Sequence, residues 1–397
     1  MNKRKIRTCL VVVSFLLLSD VVAENQDTTH GSKMSVEEKV DSPKVRTLID
    51  ECRAAIQKEM KNSNTPGLSI AIIWDRKPIW IESFGSTDKT GKKKVTNKTI
   101  FSTQSLSKQI TTVAILTAVQ DGILDLDVPI SKYLPEYTLN SRFEERPQDK
   151  ITLRHLLCHK AGLAHNLPDV DTVEARERSL EQHAGKIAQT ELIHAVGEQC
   201  DYSNIGFDLA GYILQKVSGE PFGQYVEHKV FKPLGMNNSF FVGEEIRKHE
   251  NRAIGKYKDV QESGEAPVFP SGGAYCDIED MVKFIQFHLN EGKVDEKTIL
   301  KQDILKQMYE VPFDTDGKNE GYALGIFTAH RRHNSDIVPI YVHSGSGYGF
   351  STDLFFAPSV GLGTVILTNQ GNFDMRWRGQ LEDTIYRHLG GKLEFIQ

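Results

Sequence analysis

Three short segments carry side chains whose types and spacing could do nucleophilic chemistry. In Phe101-Ser102-Thr103-Gln104-Ser105-Leu106-Ser107-Lys108, Ser105 and Lys108 lie three residues apart where a long apolar run begins. On a helix that spacing puts both on one side, so the lysine amine can approach the serine hydroxyl. A lysine takes a proton near neutral pH only where burial or a nearby cation disfavours the ammonium. The same helix start would offer N–H groups to a developing oxyanion. Alone, Ser-x-x-Lys is also the pattern of a serine that merely caps a helix.

The second segment is Asp201-Tyr202-Ser203-Asn204, ahead of the helical run Phe207 to Val217. Tyrosine and asparagine two apart on a short loop can point the same way, supplying a phenol for proton transfer and an amide for a substrate carbonyl. Ser203 or Asn204 can equally cap the helix that follows. The third is His343-Ser344-Gly345-Ser346-Gly347-Tyr348-Gly349-Phe350, after a strand expected at Ile337 to Val342. Glycines let a ligand approach the backbone, and the Ser346 N–H could be a second oxyanion donor. A plain glycine-rich hairpin has the same composition.

These residues need elements to hold them. Apolar positions three and four apart predict an amphipathic helix over Val45 to Met60. Leu68 to Trp74 and Pro78 to Phe84, separated by Asp75-Arg76-Lys77, predict a hairpin whose first strand, nearly all apolar, is central. From about Ser105 to Phe240 the chain reads as mainly helical, and Ile110 to Val119, apolar on nearly every side, must be buried all round. Strand-like runs return at Tyr322 to Thr328, Ile337 to Val342, Ser351 to Phe356 and Leu362 to Leu367, before a last helix over Arg376 to Leu389. Strands at both ends with helices between them predict an α+β fold. One antiparallel sheet is built from the two chain ends and flanked by helices, and a mainly helical lobe is inserted. A cleft between the lobes is where chemistry is expected.

Composition bounds the rest. The 397 residues are 39% hydrophobic and 25% charged, which fits a packed globular body. A net charge of −5 and the absence of a long basic run argue against nucleic acid as a partner, and Lys92 to Lys94 reads as a solvated turn. Lys3, Arg4, Lys5 and Arg7 precede an apolar stretch from Cys9 to Leu18, and Val21-Val22-Ala23 follows, the order of a secretory signal peptide cleaved after Ala23. Residues 1–23 are therefore expected to be a signal, with an uncleaved N-terminal membrane anchor as the alternative, and the protein to be secreted or periplasmic. Residues 24–43 read as a flexible linker and 44–397 as the folded body, with a sheet lobe of about 44–104 and 250–397 and a helical lobe of about 105–249. Cys52, Cys158, Cys200 and Cys276 are expected to be free thiols, since cysteine packs as a small hydrophobe in a large core.

Together and in this order, the three segments resemble the signature set of the serine β-lactamase and penicillin-binding protein superfamily: S-x-x-K, a Tyr-x-Asn element, then K-T-G. Asp121 to Asp127, Lys132-Tyr133-Leu134-Pro135-Glu136, Ile151 to Leu163, Lys232 to Met236 and Pro270 to Gly273 are similar to the class C β-lactamase-like branch. The resemblance spans roughly Val45 to His388. It implies Ser105 as nucleophile, Lys108 as base, Tyr202 as general acid/base, Asn204 as its companion, and the N–H groups of Ser105 and Ser346 as the oxyanion hole. It also implies that His343, Ser344 and Gly345 line the substrate site. Here the sequence departs from the pattern, because His343-Ser344-Gly345 stands where the family has Lys-Thr-Gly. Histidine is largely neutral at pH 7 when unperturbed, so the constant charge that helps bind a carboxylate is missing.

An exported hydrolase of esters or D-amino-acid peptides is thus expected ahead of an efficient β-lactamase. A slowly acylated or non-catalytic sensor on the same scaffold is the rival. Its partner would be a small-molecule or peptide substrate. His155, Cys158, His159 and His165 are close enough to suggest zinc, but lie in the stretch that resembles a family helix and turn, so no metal is expected. No phosphate loop or dinucleotide fingerprint implies a cofactor.

Overall fold

A computed structural model describes residues 42–395, apart from Asp171, 258–259, 262–268, 315–316, 334–335, 372–374 and 390–392. The expected signal and all but Ser42 and Pro43 of the expected linker lie outside the described residues. The first helix, α1 (Pro43–Asn62), starts where proline fits without losing a helical hydrogen bond, and the Ser42 hydroxyl accepts from Val45 N at 3.3 Å. It buries Val45, Leu48, Cys52 and Ile56, the stripe expected from their spacing.

Strands β1 (Gly67–Trp74) and β2 (Lys77–Gly85) form the N-terminal hairpin. Its turn is only Asp75 and Arg76, both left-handed at φ 50° and 63°, and Lys77 already pairs with Trp74. The C-terminal half supplies β3 (Gly321–Tyr322), β4 (Phe327–His333), β5 (Asp336–Gly347), β6 (Phe350–Ala357), β7 (Leu362–Thr368) and β8 (Leu393–Phe395). They join the hairpin in the order β3-β4-β5-β6-β7-β1-β2, with β8 paired to β4, and every pairing is antiparallel. The sheet is thus built from both chain ends, with β1 internal, one strand from the edge.

Residues alternate between the two faces of β1. Leu68, Ile70 and Ile72 join the core under α1 and α7 (Met375–Leu389), while Ala71 and Ile73 join the core of the opposite face. Both faces are covered, so the strand reads as a continuous apolar run. On the second face lies α6 (Ile278–Leu289), capped by Asp277, whose carboxylate accepts from Asp280 N at 2.8 Å. Beyond it are α2 (Ser107–Gln120), α3 (Leu153–Leu157), α4 (Leu180–Ile187) and α5 (Asn204–Ser218). Every residue of α2 from Ser107 to Ala118 is buried, which includes the run from Ile110 expected to be buried all round and, before it, the polar Ser107, Lys108 and Gln109.

Two strand expectations change. Tyr322 to Thr328 is not one strand: β3 and β4 are separated by a turn at Gly325 (φ 78°), whose Cβ, if present, would meet the Lys108 carbonyl at 3.0 Å. The chain turns there because it packs against the backbone of α2. In addition, His343 to Gly347 does not follow a strand but continues β5, pairing with Leu354 to Phe350 of β6.

Candidate active site

Ser105 sits on a 3-10 turn, Gln104–Leu106, that runs directly into α2. Gln104 before it is held left-handed at φ 50° and donates from Nε2 to Ser102 Oγ at 2.7 Å. A non-glycine residue in that region is strained, and strain is retained where the surroundings impose it. Lys108 follows three residues later in the first turn of α2, on the same side of the chain, and its Nζ lies 3.2 Å from Ser105 Oγ. Lys108 is wholly buried, and its other partners are Asn204 Oδ1 at 2.7 Å and the Ser271 carbonyl at 2.8 Å. All three partners are uncharged. Burial pushes the amine down to about 7, against an upward pull from Asp208.

A neutral amine has two protons and one lone pair. The two shorter contacts accept its protons, and the lone pair is left for the Ser105 hydroxyl. This sets the sign of a pH effect: acylation of Ser105 should rise with pH through about 7 as Lys108 loses its proton. The pH dependence of kcat/KM for an ester checks it; a flat profile from pH 5 to 9 would remove Lys108 as the base.

The Tyr202 ring lies over the amine, 4.8 Å from Nζ to centroid, with the Phe207 ring at 5.6 Å. Ser203 does cap α5: its hydroxyl accepts from Gly206 N at 3.0 Å and donates to the Ala164 carbonyl at 2.7 Å. Capping and site-building are the same local event, because it fixes Tyr202 and Asn204 on either side. Asn204 N donates to the His165 carbonyl at 2.8 Å, and its Nδ2 to Asn166 Oδ1 at 2.7 Å, which aims Oδ1 at Lys108. His159, left-handed at φ 61°, accepts from Ser203 N at 3.0 Å through Nδ1 and packs 4.3 Å from the Tyr202 ring.

The other wall is β5. Strand β4 begins, at Phe327, opposite Val342, so His343 to Gly347 extend beyond it and pair with β6. Gly345 lies against the turn that carries Ser105: an added Cβ would meet Thr103 O at 2.6 Å and Gln104 Cβ at 2.9 Å. Gly345→Ala should therefore push β5 away from Ser105, costing about 1–3 kcal/mol of stability together with most of the activity. Thermal unfolding and ester turnover read the two losses. Ser346, exposed, is next along the strand, its hydroxyl donating to the Gly371 carbonyl at 3.4 Å, and Ser344 Oγ donates to Asp353 Oδ1 at 2.8 Å.

His343 is 3% exposed. Its Nδ1 donates to the Ser344 carbonyl at 2.7 Å, so Nε2 is the acceptor for the Tyr322 hydroxyl at 3.0 Å. Burial, with Lys108 adding to it, pushes this imidazole down to about 3. His159 and His165 are lowered by the same two causes. The site is thus rich in histidine without carrying histidine charge at neutral pH. Elsewhere, His155 Nδ1 contacts the Thr152 hydroxyl at 2.9 Å, and Cys52, Cys158, Cys200 and Cys276 are free thiols.

Ser105, Lys108, Asn204 and Tyr202 come together at one place, with Gly345 against the turn and Ser344, Ser346 and His343 on the flanking strand. Reading the sequence missed Asn166, Ser271 and Tyr322. Ser271 acts through its carbonyl and Tyr322 through His343, and neither role leaves a residue-type signal.

The Beta-lactamase family model matches residues 52–383. Protein flp of Staphylococcus aureus is 28% identical over 325 residues, 79% of this chain and 61% of that protein, so the chain spans about three fifths of that relative. A beta-lactamase of Yersinia enterocolitica is 28% identical over 84% of this chain and 88% of its own length. The octameric penicillin-binding protein homologue from Pyrococcus abyssi superposes with a TM-score of 0.69 at 25% identity, covering 81% of this chain and 73% of that one. The chain belongs to the beta-lactamase family, within the superfamily of serine β-lactamases and penicillin-binding proteins.

Proposed function

We propose that this protein is an exported serine hydrolase that forms an acyl-enzyme on Ser105 from an ester or amide lacking an essential carboxylate. Family membership supports serine-hydrolase-type chemistry in general. The observation that carries the specific reading is the buried Lys108 amine, 3.2 Å from the Ser105 hydroxyl and otherwise held by two neutral acceptors.

Lys108 takes the Ser105 proton as Oγ attacks the carbonyl carbon, and the Ser105 and Ser346 N–H groups receive the oxyanion. Tyr202, close over the amine, passes a proton to the leaving alcohol or amine as the bond to it breaks. In deacylation Tyr202, assisted by Lys108, takes a proton from water. The hydroxide oxygen attacks the ester carbon, and Ser105 leaves with the returned proton. Asn204 holds both Lys108 and the acyl group.

Substrate choice follows from charge. The neutral His343 stands where a lysine would attract a carboxylate, and both its ring nitrogens are engaged. Small esters and D-amino-acid amides fit this site better than penicillins. His343→Lys should raise acylation by benzylpenicillin relative to a p-nitrophenyl ester by about tenfold, the value of one charge-assisted hydrogen bond. The ratio of the two second-order rate constants measures it; an unchanged ratio would separate His343 from substrate choice.

Export by the N-terminal 23 residues is part of the proposal. Among the described residues no helix is long and apolar enough to cross a membrane. The test of the whole reading uses protein lacking residues 1–23, incubated with a fluorophosphonate, benzylpenicillin and a p-nitrophenyl ester and followed by intact mass and nitrophenol release. A Ser105 adduct with continuing ester turnover supports it. A penicillin adduct that persists without turnover would favour the sensor reading, and no adduct on folded protein would overturn the hydrolase.

A further inference from the structure

We propose that Asp208 is a positioning residue of this site: it fixes the loop whose carbonyl holds Lys108 and supplies a negative charge that acts on the buried amine. The inference rests on the reading of Ser105 and Lys108 as nucleophile and base.

Asp208 lies four residues after Asn204 on α5, on the same side of the helix. Asn204 touches Lys108 directly, and Asp208 reaches it through one residue. Asp208 Oδ1 accepts from Ser271 N at 2.9 Å, and the carbonyl of that same Ser271 accepts from Lys108 Nζ at 2.8 Å. The second oxygen, Oδ2, accepts from His183 Nε2 of α4 at 3.0 Å. His183 in turn stacks on Phe269 at 4.0 Å between centroids, and the Phe269 carbonyl accepts from Gly272 and Gly273. Thr111 of α2 donates to the Pro270 carbonyl at 2.7 Å. The segment Phe269 to Gly273 is therefore clamped from three helices, and its Ser271 carbonyl faces the amine.

A brace alone does not require a carboxylate. Asp208 is 3% exposed and His183 also 3%, and a carboxylate buried to that degree carries a desolvation cost that an amide would avoid. Asparagine would accept from Ser271 N equally well and could meet His183 in the other tautomer. What asparagine could not do is supply a charge that favours the ammonium form of Lys108, as Asp208 does against burial. The other polar groups facing the amine are Tyr202, the three histidines 159, 165 and 343, Asn204 and Ser105. The histidines are neutral at pH 7, so they do not substitute for Asp208.

The charge keeps the lysine from becoming too weak a base, and the clamp keeps it aimed. The two contributions separate in a pH–rate profile of Ser105 phosphonylation by a fluorophosphonate, in which the serine oxygen bonds to phosphorus and fluoride leaves. Asp208→Asn keeps the acceptor and removes the charge. Its ascending limb should move about one pH unit lower, with the plateau within a few fold of wild type. Asp208→Ala removes both, and its plateau should also fall by about tenfold or more. A purely structural Asp208 would lower the melting temperature and leave the limb in place; that result for Asp208→Asn overturns the proposal. Should Asp208→Asn fail to fold, the limb of Asp208→Ala is read instead: a move of about one pH unit lower supports the proposal, and an unmoved limb overturns it. Wild-type protein that takes no phosphonyl group on Ser105 would instead remove the underlying reading.

Discussion

Ser105→Ala should reduce ester turnover by about 10⁴-fold or more and abolish the covalent adduct, while leaving the fold unchanged. Size decides the second half. The substitution removes one oxygen from a partly exposed position, whose hydroxyl has Lys108 Nζ as its partner at 3.2 Å. No cavity opens in the core and no buried acceptor loses its sole donor. The first half follows because, among the described residues, Ser105 carries the hydroxyl that contacts the Lys108 amine. Ser107 is committed to Thr103 at 3.1 Å and to Ala274 N at 3.0 Å. Ser344 is bonded to Asp353. Intact-mass analysis beside kcat/KM checks the prediction, and an Ala variant retaining more than one hundredth of wild-type turnover would remove Ser105 from the reaction.

Lys108→Met should cost about 10³-fold in acylation, within the range a positioned general base contributes, and should erase the ascending limb near pH 7. Methionine nearly matches the lysine stem in volume, so Ser105 keeps its place on the turn while losing its proton acceptor. Two acceptors, Asn204 Oδ1 and the Ser271 carbonyl, also lose their donor. The stability effect is the balance of that loss against the relief of burying an amine whose pKa falls from 10.5 to about 7. By linkage, a depressed lysine makes the wild type gain stability as pH rises from about 7 toward 10.5, where the unfolded chain holds the extra proton. Lys108→Met should lose that rise, and denaturant titrations at pH 7 and 9.5 show it. A wild-type stability identical at both values would mean that Lys108 is an ordinary ammonium.

Much of this was legible in the amino-acid order, and the reasons differ by element. Helix α1 and the hairpin β1–β2 follow local patterns, since Leu48, Cys52 and Ile56 mark one stripe and Leu68 to Trp74 one strand. The burial of α2 from Ile110 onward follows from its mainly apolar run, whereas that of Lys108 and Gln109 does not. The meeting of Ser105, Lys108, Tyr202 and Asn204 was legible only through combination, because each segment by itself also describes a cap. What escaped was set by tertiary contact. Glycine and serine in His343 to Gly347 read as a turn, yet glycine is there because β5 passes within van der Waals distance of Thr103 and Gln104. The break at Gly325 answers to the Lys108 carbonyl, which no local pattern announces. The role of Ser271 belongs to its backbone, and the Tyr322–His343 bond depends on a register of β-strands.

The pairing of β1 with β7 has a cost in time. Leu68 is opposite Thr368, so on a ribosome adding about 5–20 residues per second the first strand waits on the order of 15–60 s for its partner. Until then a strand that is apolar on both faces has only β2 beside it. Closing so long a loop is a slow step for a folding chain, and the helical lobe, being local in sequence, can form first. Translation is therefore expected to yield a waiting intermediate that needs protection from aggregation, and a chain stopped before β7 would keep that sticky hairpin exposed.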